Sequence, residues 1–167
     1  RLLILWLLTR LVVVVLVPLA PYVVNDVNYY ATVITGQADA DFPGTLREYP
    51  IATISNLRRA LAVFAQRMDP KSDVLLLYIT THGSRNAVLA TDLPPLTLYN
   101  IDPPTLKGLL DESGIRNRVL IISACYSGTF IEPLRNPDTL IMTASIADRP
   151  SFGCGSESDF TYFGDAI

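Results

Sequence analysis

The stretch "RVLIISACYSG", residues 118–128, is the part of the sequence that best indicates the fold. Its first six residues form a short apolar block, which is typical of a strand buried in a parallel sheet. Cys125 lies two residues beyond this block, and Gly128 follows it closely. We expect Gly128 to let the backbone turn tightly behind the thiol. A cysteine placed there needs a partner from elsewhere in the chain if it is to act as an activated nucleophile.

The partner that the sequence offers is His82, the single histidine of the chain. It follows a second apolar block, "DVLLLYIT", residues 73–80, which also predicts a buried strand. Ligands bind beyond the carboxyl ends of parallel strands, so we predict that His82 and Cys125 meet at one edge of the sheet as a Cys-His dyad. The backbone N–H groups of Gly83 and Cys125 would form an oxyanion hole.

A structural explanation of these two residues is the alternative. Free cysteine usually behaves as a small buried hydrophobe, and a lone histidine is usually a hydrogen-bonded core or loop residue. The catalytic interpretation is favoured because both residues follow strands and lie near glycine. Cys154 has no such context and is interpreted as a packing or loop thiol. Asp92 and Asp102 could orient His82, but an aspartate close to proline more often serves a turn or a helix cap.

Helices and strands alternate along the rest of the chain. Apolar residues recur at helical spacing over residues 54–68, and a second helix is indicated by Asp102 as its cap and Gly114 just past its end. Further strands are predicted in "YYATVIT", residues 29–35, and "TLIMTAS", residues 139–145. This alternation predicts an α/β fold with a mostly parallel sheet flanked by helices.

The apolar N-terminus has two interpretations. Residues 2–20 are long enough to span a bilayer as a helix, although Arg10 lies in the middle. Alternatively, residues 11–17 form a buried strand, as their β-branched side chains suggest. We therefore divide the chain into an apolar segment, residues 1–24, that is either a membrane anchor or a strand, and one domain, residues 25–167, that we interpret as truncated at both ends.

Composition narrows the range of functions. The chain has 167 residues, a net charge of −3 and no extended basic cluster, which argues against nucleic acid as a partner. Two cysteines and one histidine are too few for a disulfide framework or a zinc quartet. We expect neither a metal nor a cofactor.

Several blocks of the sequence resemble the legumain-type cysteine peptidases of the C13 family, which are clan relatives of caspases. The blocks "YITTHGS", residues 78–84, and "ISACYSG", residues 122–128, look like the two active-site motifs of that family. Residues 143–165, "TASIADRPSFGCGSESDFTYFGD", are similar to its pocket-forming segment, and "YPIATISNLRRAL", residues 49–61, resembles bacterial members in particular.

This resemblance implies a caspase-like three-layer sandwich with His82 and Cys125 as the dyad. It also implies cleavage after asparagine, or sometimes aspartate, and substrate contacts by Ser123, Ser151 and Asp165. Legumains carry a glutamate where this chain has Ser123.

The function predicted from the sequence is that of a cysteine endopeptidase acting on peptides or proteins. One alternative is a transamidase, in which an amine replaces water. Another is an inactive, membrane-tethered module that binds peptides. The resemblance to bacterial members, together with the apolar residues 2–20, suggests that the protein is anchored to the membrane of a bacterial cell.

Overall fold

A computed structural model describes residues 11–16, 30–34, 52–91, 97–152 and 162–167. The helices and strands, in chain order, are β1 (Leu11–Leu16), β2 (Tyr30–Ile34), α1 (Ile54–Arg67), β3 (Val74–Thr80), α2 (Pro103–Ser113), β4 (Arg118–Ser123), a 3-10 helix (Ser127–Phe130), α3 (Ile131–Leu134), β5 (Thr139–Thr143) and α4 (Tyr162–Ala166).

The five strands form one sheet in the order β2-β1-β3-β4-β5. Each neighbouring pair is parallel. A parallel sheet flanked by helices is the α/β architecture expected of a caspase-like fold, so the predicted fold class is confirmed. Because all five strands run in one direction, their carboxyl ends share a single edge of the sheet.

The N-terminal apolar segment contributes a strand inside this sheet. Strand β1 lies between β2 and β3 and pairs with both, which agrees with the strand interpretation of residues 11–17. No helix in the described part of the chain is both long enough and apolar enough to cross a bilayer. The remainder of residues 2–20 and the predicted boundary after residue 24 lie outside the described residues.

Helix α1 has the amphipathic pattern that its sequence predicts. It begins after Thr53, whose side chain accepts a hydrogen bond from the backbone N–H of Asn56 at 3.1 Å. Its inward face buries Leu57, Leu61 and Phe64, which join the main hydrophobic core. Burial of each such side chain stabilises the fold by about 1.5–3 kcal/mol.

Helix α2 has the predicted start and end. Asp102 caps it by accepting a 2.8 Å hydrogen bond from the backbone N–H of Thr105, which is the cap role that the sequence favoured. At the other end, Gly114 adopts a φ of 71°, the left-handed conformation that favours glycine.

The register of the sheet fixes the position of the two central strands. Leu77 of β3 pairs with Leu120 of β4, and Ile79 pairs with Ile122. All four side chains are buried in the core with those of α1 and α2. Since a slip by one residue would turn these side chains to the other face of the sheet, the core determines which residues emerge side by side at the carboxyl edge.

Candidate active site

Two loops leave the carboxyl ends of β3 and β4, and we refer to them as the His loop, residues 81–91, and the Cys loop, residues 124–130. The last paired residues of the strands are Thr80 and Ser123. The backbone N–H of Thr81 donates to the carbonyl of Ser123 at 3.1 Å, which extends the ladder by one bond. His82 and Cys125 each lie two residues beyond the Thr80–Ser123 pair, so the register brings both of them to the same edge.

Gly83 brings the two loops into direct contact. A Cβ atom added at Gly83 would lie 1.9 Å from the carbonyl oxygen of Cys125 and 3.2 Å from the Cβ of Ala124. The first distance is far below any tolerated contact, so only glycine fits here. The sequence analysis gave Gly83 a role in the oxyanion hole. The position requires glycine because the two backbones approach each other closely here.

The pairing within the His loop directs the N–H group of Gly83. Gly83 and Leu89 face each other in an antiparallel bridge. The bonds beside this bridge join Ala90 N–H to the His82 carbonyl at 2.9 Å and Ser84 N–H to the Val88 carbonyl at 3.1 Å. Gly83 is therefore in the non-hydrogen-bonded position of the pair, where its own N–H points away from Leu89.

The thiol of Cys125 is free and half-buried, and Ser151 surrounds one side of it. The backbone N–H of Ser151 donates to the sulfur at 3.3 Å, and the Ser151 hydroxyl lies 3.5 Å from the sulfur. The Ser151 carbonyl is 3.7 Å away and can accept from the S–H group. The side chain of His82 is exposed to solvent. Ser151, which was predicted to contact substrate, is thus in contact with the thiol of Cys125.

The other residues predicted to bind substrate differ in their surroundings. Ser123 is 4% exposed at the end of β4, so little of it is open to a substrate within the described structure. Asp165 lies in α4, but its side chain is outside the described residues, as is Cys154. Their predicted roles stay predictions.

Two serines, Ser127 and Ser145, hold the Cys loop through hydrogen bonds. The sequence did not predict this pair. Ser127 is fully buried, and its backbone N–H donates to Ser145 Oγ at 3.1 Å. The hydroxyl of Ser145 in turn donates to the carbonyl of Ala124 at 3.1 Å, one residue before Cys125. The two hydroxyl groups are 3.2 Å apart. From the sequence alone, a serine near Cys125 with this structural role cannot be distinguished from one with a catalytic role.

The turn after Cys125 contains a residue in the left-handed conformation that was not predicted. The residue with positive φ is Tyr126, at 57°, and not Gly128. Gly128 is needed for a different reason, because a Cβ there would lie 2.6 Å from the backbone nitrogen of Ala147 and 2.8 Å from the Cα of Ile146. Gly128 lies in the 3-10 helix directly behind the thiol, whereas the left-handed residue of this segment is Tyr126, which no sequence pattern predicts.

No group of three or more potential metal ligands, whether His, Cys, Asp or Glu, occurs among the residues that the structure describes. At the carboxyl edge of the parallel sheet lie a thiol, an imidazole and closely packed backbone.

Comparison with known proteins identifies the family. Residues 61–167, more than half of the chain, match the model of the Peptidase C13 family. The chain therefore belongs to the peptidase C13 family of cysteine peptidases, which are hydrolases of peptide or protein substrates. The resemblance to legumain-type enzymes is confirmed, and the more specific likeness to bacterial members stays a prediction. No match to the chain is found among curated proteins.

Proposed function

We propose that this protein is a cysteine endopeptidase in which Cys125 is the nucleophile and His82 transfers the protons. The observation that carries the proposal is the register of β3 and β4, which aligns both residues two positions beyond the Thr80–Ser123 pair. The close approach of Gly83 to the Cys125 carbonyl supports it, because this contact joins the two loops at that point.

The first half of the reaction forms an acyl-enzyme. The thiol of Cys125 gives its proton to His82, and the sulfur forms a bond to the carbonyl carbon of the peptide. The electron pair of the C=O bond moves to oxygen, where the N–H groups of Gly83 and Cys125 would donate to it. The orientation of the Gly83 N–H, away from its hairpin partner, supports this role. The C–N bond then breaks, and His82 gives its proton to the departing amine.

The second half restores the enzyme. His82 takes a proton from water, and the hydroxide adds to the thioester carbon. The C–S bond breaks, the new carboxylic acid leaves, and the sulfur recovers a proton from His82. A transamidase would follow the same steps with an amine in the place of water.

For the residue before the scissile bond, we propose asparagine or aspartate, as the family resemblance implies. Ser151 supports a pocket at this position because its backbone and hydroxyl lie within 3.3–3.5 Å of the sulfur that attacks the neighbouring carbonyl. Legumains carry a glutamate at the position of Ser123. Because this residue differs, the preference between asparagine and aspartate is the first specificity to measure.

The test is covalent labelling by a peptidyl Michael acceptor that carries asparagine at the cleavage position. Intact-protein mass spectrometry should show one adduct on the wild-type protein, none on Cys125→Ala, and one on Cys154→Ala, which removes the other thiol as a matched control. His82→Ala should slow labelling by about 100-fold or more, the usual contribution of a general acid or base.

The alternatives predict different results. Equal labelling of both cysteines, or labelling that does not depend on His82, would contradict an activated nucleophile. An inactive peptide-binding module would bind the peptide as tightly after Cys125→Ala and form no adduct beforehand. A transamidase would convert a peptide substrate mainly to the amide product when glycinamide is added, whereas a peptidase would release mainly the acid.

A further inference from the structure

A side-chain contact between Arg85 and Tyr126 joins the two catalytic loops at the surface. The Nε of Arg85 donates to the phenol oxygen of Tyr126 at 3.1 Å. The guanidinium carbon also lies 5.7 Å from the centre of the tyrosine ring, within the range of a cation–π interaction. Arg85 is three residues beyond His82 and Tyr126 directly follows Cys125, so this contact connects the chain beside the base to the chain beside the nucleophile.

The backbone of Tyr126 is held in a conformation that is uncommon for a bulky residue. Its φ of 57° and ψ of 18° lie in the left-handed region. Its N–H donates to the Arg149 carbonyl at 3.0 Å, and its carbonyl accepts from the N–H of Thr129 at 3.1 Å and from the Thr129 hydroxyl at 2.7 Å. Such a conformation persists where surrounding contacts over-determine it, and this occurs mainly at functional sites.

Tyr126 is thus the point at which three segments meet around the nucleophile. Its side chain contacts the His loop through Arg85, and its backbone binds the 3-10 helix through Thr129. Its N–H binds the segment of Arg149, two residues before Ser151, which contacts the thiol. A shift of Tyr126 would therefore change the position of Cys125 relative to both His82 and Ser151.

We propose that Arg85 and Tyr126 form a positioning pair that sets the geometry of His82 relative to Cys125 by fixing the His loop against the Cys loop. This inference rests on the proposed function, because the groups it positions are those of the proposed dyad. Neither residue is assigned a direct contact with substrate.

The exposure of the pair determines how its effect should be observed. Arg85 is exposed, so the contact contributes little to global stability. The hydrogen bond from Arg85 to Tyr126 raises the pKa of Arg85 further above neutrality, so the guanidinium stays charged in any practical assay. Loss of the pair should therefore change the reactivity of Cys125 and leave the melting temperature nearly unchanged.

The experiment measures how fast the asparagine-bearing Michael acceptor labels Cys125, as a function of reagent concentration. Arg85→Ala and Tyr126→Phe should each lower the rate at saturation by about ten-fold, with the half-saturating concentration unchanged, since misplaced reacting groups lose rate more than binding. Arg85→Lys should recover part of the rate because it keeps the charge over the ring. Arg59→Ala removes an exposed arginine of α1 and is the matched control, which should behave as wild type.

The double variant decides whether the two residues act together. If they form one positioning pair, Arg85→Ala combined with Tyr126→Phe should be no slower than the slower single variant. Multiplied effects would overturn the proposal, as would rates equal to the Arg59→Ala control. A rise in the half-saturating concentration alone, seen only with reagents that carry an acidic residue, would instead make Arg85 a substrate contact and also overturn it.

The same data separate this inference from the proposed function. Wild-type labelling that requires His82, together with unchanged Arg85 and Tyr126 variants, would overturn the positioning pair only. Absence of His82-dependent labelling in the wild-type protein would overturn the proposed dyad, and the positioning pair with it.

Discussion

The Cys loop and the His loop emerge from neighbouring strands, yet they are held in different ways. The Cys loop is fixed from within, because Ser127 is fully buried and Phe130 is 1% exposed. The His loop is fixed along its edges by backbone pairing, and His82, the proposed base, faces solvent. The two loops are joined where Gly83 packs against the Cys125 backbone, and a second contact joins Arg85 to Tyr126.

This difference suits the separate tasks that the proposed dyad gives to the two loops. A nucleophile must be positioned relative to the carbonyl carbon to within a few tenths of an ångström. A histidine that exchanges protons with solvent and substrate must be accessible to both. Buried hydrogen bonds provide the first property and an exposed hairpin provides the second. Variants that loosen one loop at a time should therefore have different signatures in stability and reactivity.

The largest effect is expected for Gly83→Ala, which breaks the junction between the loops. The new methyl group would lie 1.9 Å from the Cys125 carbonyl oxygen, and backbone atoms cannot move aside cheaply. We expect a loss of about 3 kcal/mol or more in the free energy of unfolding, as for a severely overpacked site. Labelling of Cys125 should fall by about 100-fold, since the backbones that position the dyad must separate.

Gly108→Ala is the control for this variant. Gly108 is an exposed residue of α2, and nothing lies within 4 Å of an added Cβ. It should gain about 0.5–1 kcal/mol from helix propensity. Urea unfolding of both variants provides the measurement, and a Gly83→Ala protein as stable and reactive as wild type would contradict the close approach of the loops.

The second effect tests the internal support of the Cys loop. Ser127→Ala removes the hydroxyl that accepts from the backbone N–H of Ser145 at 3.1 Å. Because the Ser145 donor is only partly buried, loss of this bond should cost about 1.5 kcal/mol, the upper end for one neutral hydrogen bond. Urea unfolding should show this loss, with labelling of Cys125 slowed in parallel. Arg59→Ala, at an exposed position of α1, should change stability by less than about 0.5 kcal/mol, and equal losses in both variants would refute a special role for Ser127.

The third effect tests the edge support of the His loop. The hydroxyl of Thr81 donates to the carbonyl of Ala90 at 2.6 Å and holds the two ends of this loop together. Thr81→Val keeps the shape and removes the bond, so we expect a loss of about 1 kcal/mol in chemical denaturation. Thr81→Ser keeps the hydroxyl and should lose less. If Thr81→Ser proves the less stable of the two, packing of the methyl group rather than the hydrogen bond holds the loop.

The sequence predicted the strands and helices well where one physical rule dominates. The apolar blocks at residues 73–80 and 118–123 correspond to β3 and β4 almost to the residue, because a strand buried in a parallel sheet needs continuous apolar side chains. Both ends of α2 were predicted from Asp102 and Gly114, since capping is local chemistry.

The N-terminus and the site were less predictable, for physical reasons. A bilayer and a protein core are both apolar, so residues 2–20 could not distinguish a membrane helix from β1. The placement of His82 and Cys125 at one edge of the sheet could be predicted from the strands that precede them. The contact of Arg85 with Tyr126 could not, because it joins residues 41 positions apart and depends on a backbone conformation that tyrosine rarely adopts. Such contacts are products of tertiary packing, and no local pattern encodes them.

The smallest effect concerns the tether between α2 and the His loop. Asp102 caps α2 directly after Ile101, which pairs with Leu89 of the His loop through bonds of 2.8 and 3.0 Å. Asp102→Ala should cost about 1 kcal/mol at neutral pH, the usual value of an N-cap. Asp102→Asn should keep most of the stability, because asparagine also caps well.

The pH dependence of the stability of these variants tests whether the charge of the Asp102 carboxylate contributes to the cap. Hydrogen bonds from the Thr105 side chain and then its backbone hold the pKa of Asp102 below its ordinary value. A carboxylate whose pKa is lower in the folded state stabilises the protein fully above its unfolded pKa, about 3.9, and this stabilisation is lost as pH falls through the folded value. The difference between wild type and Asp102→Ala, measured by urea unfolding, should therefore shrink below about pH 4. A difference that stays constant down to pH 2 would mean that the cap acts through geometry alone.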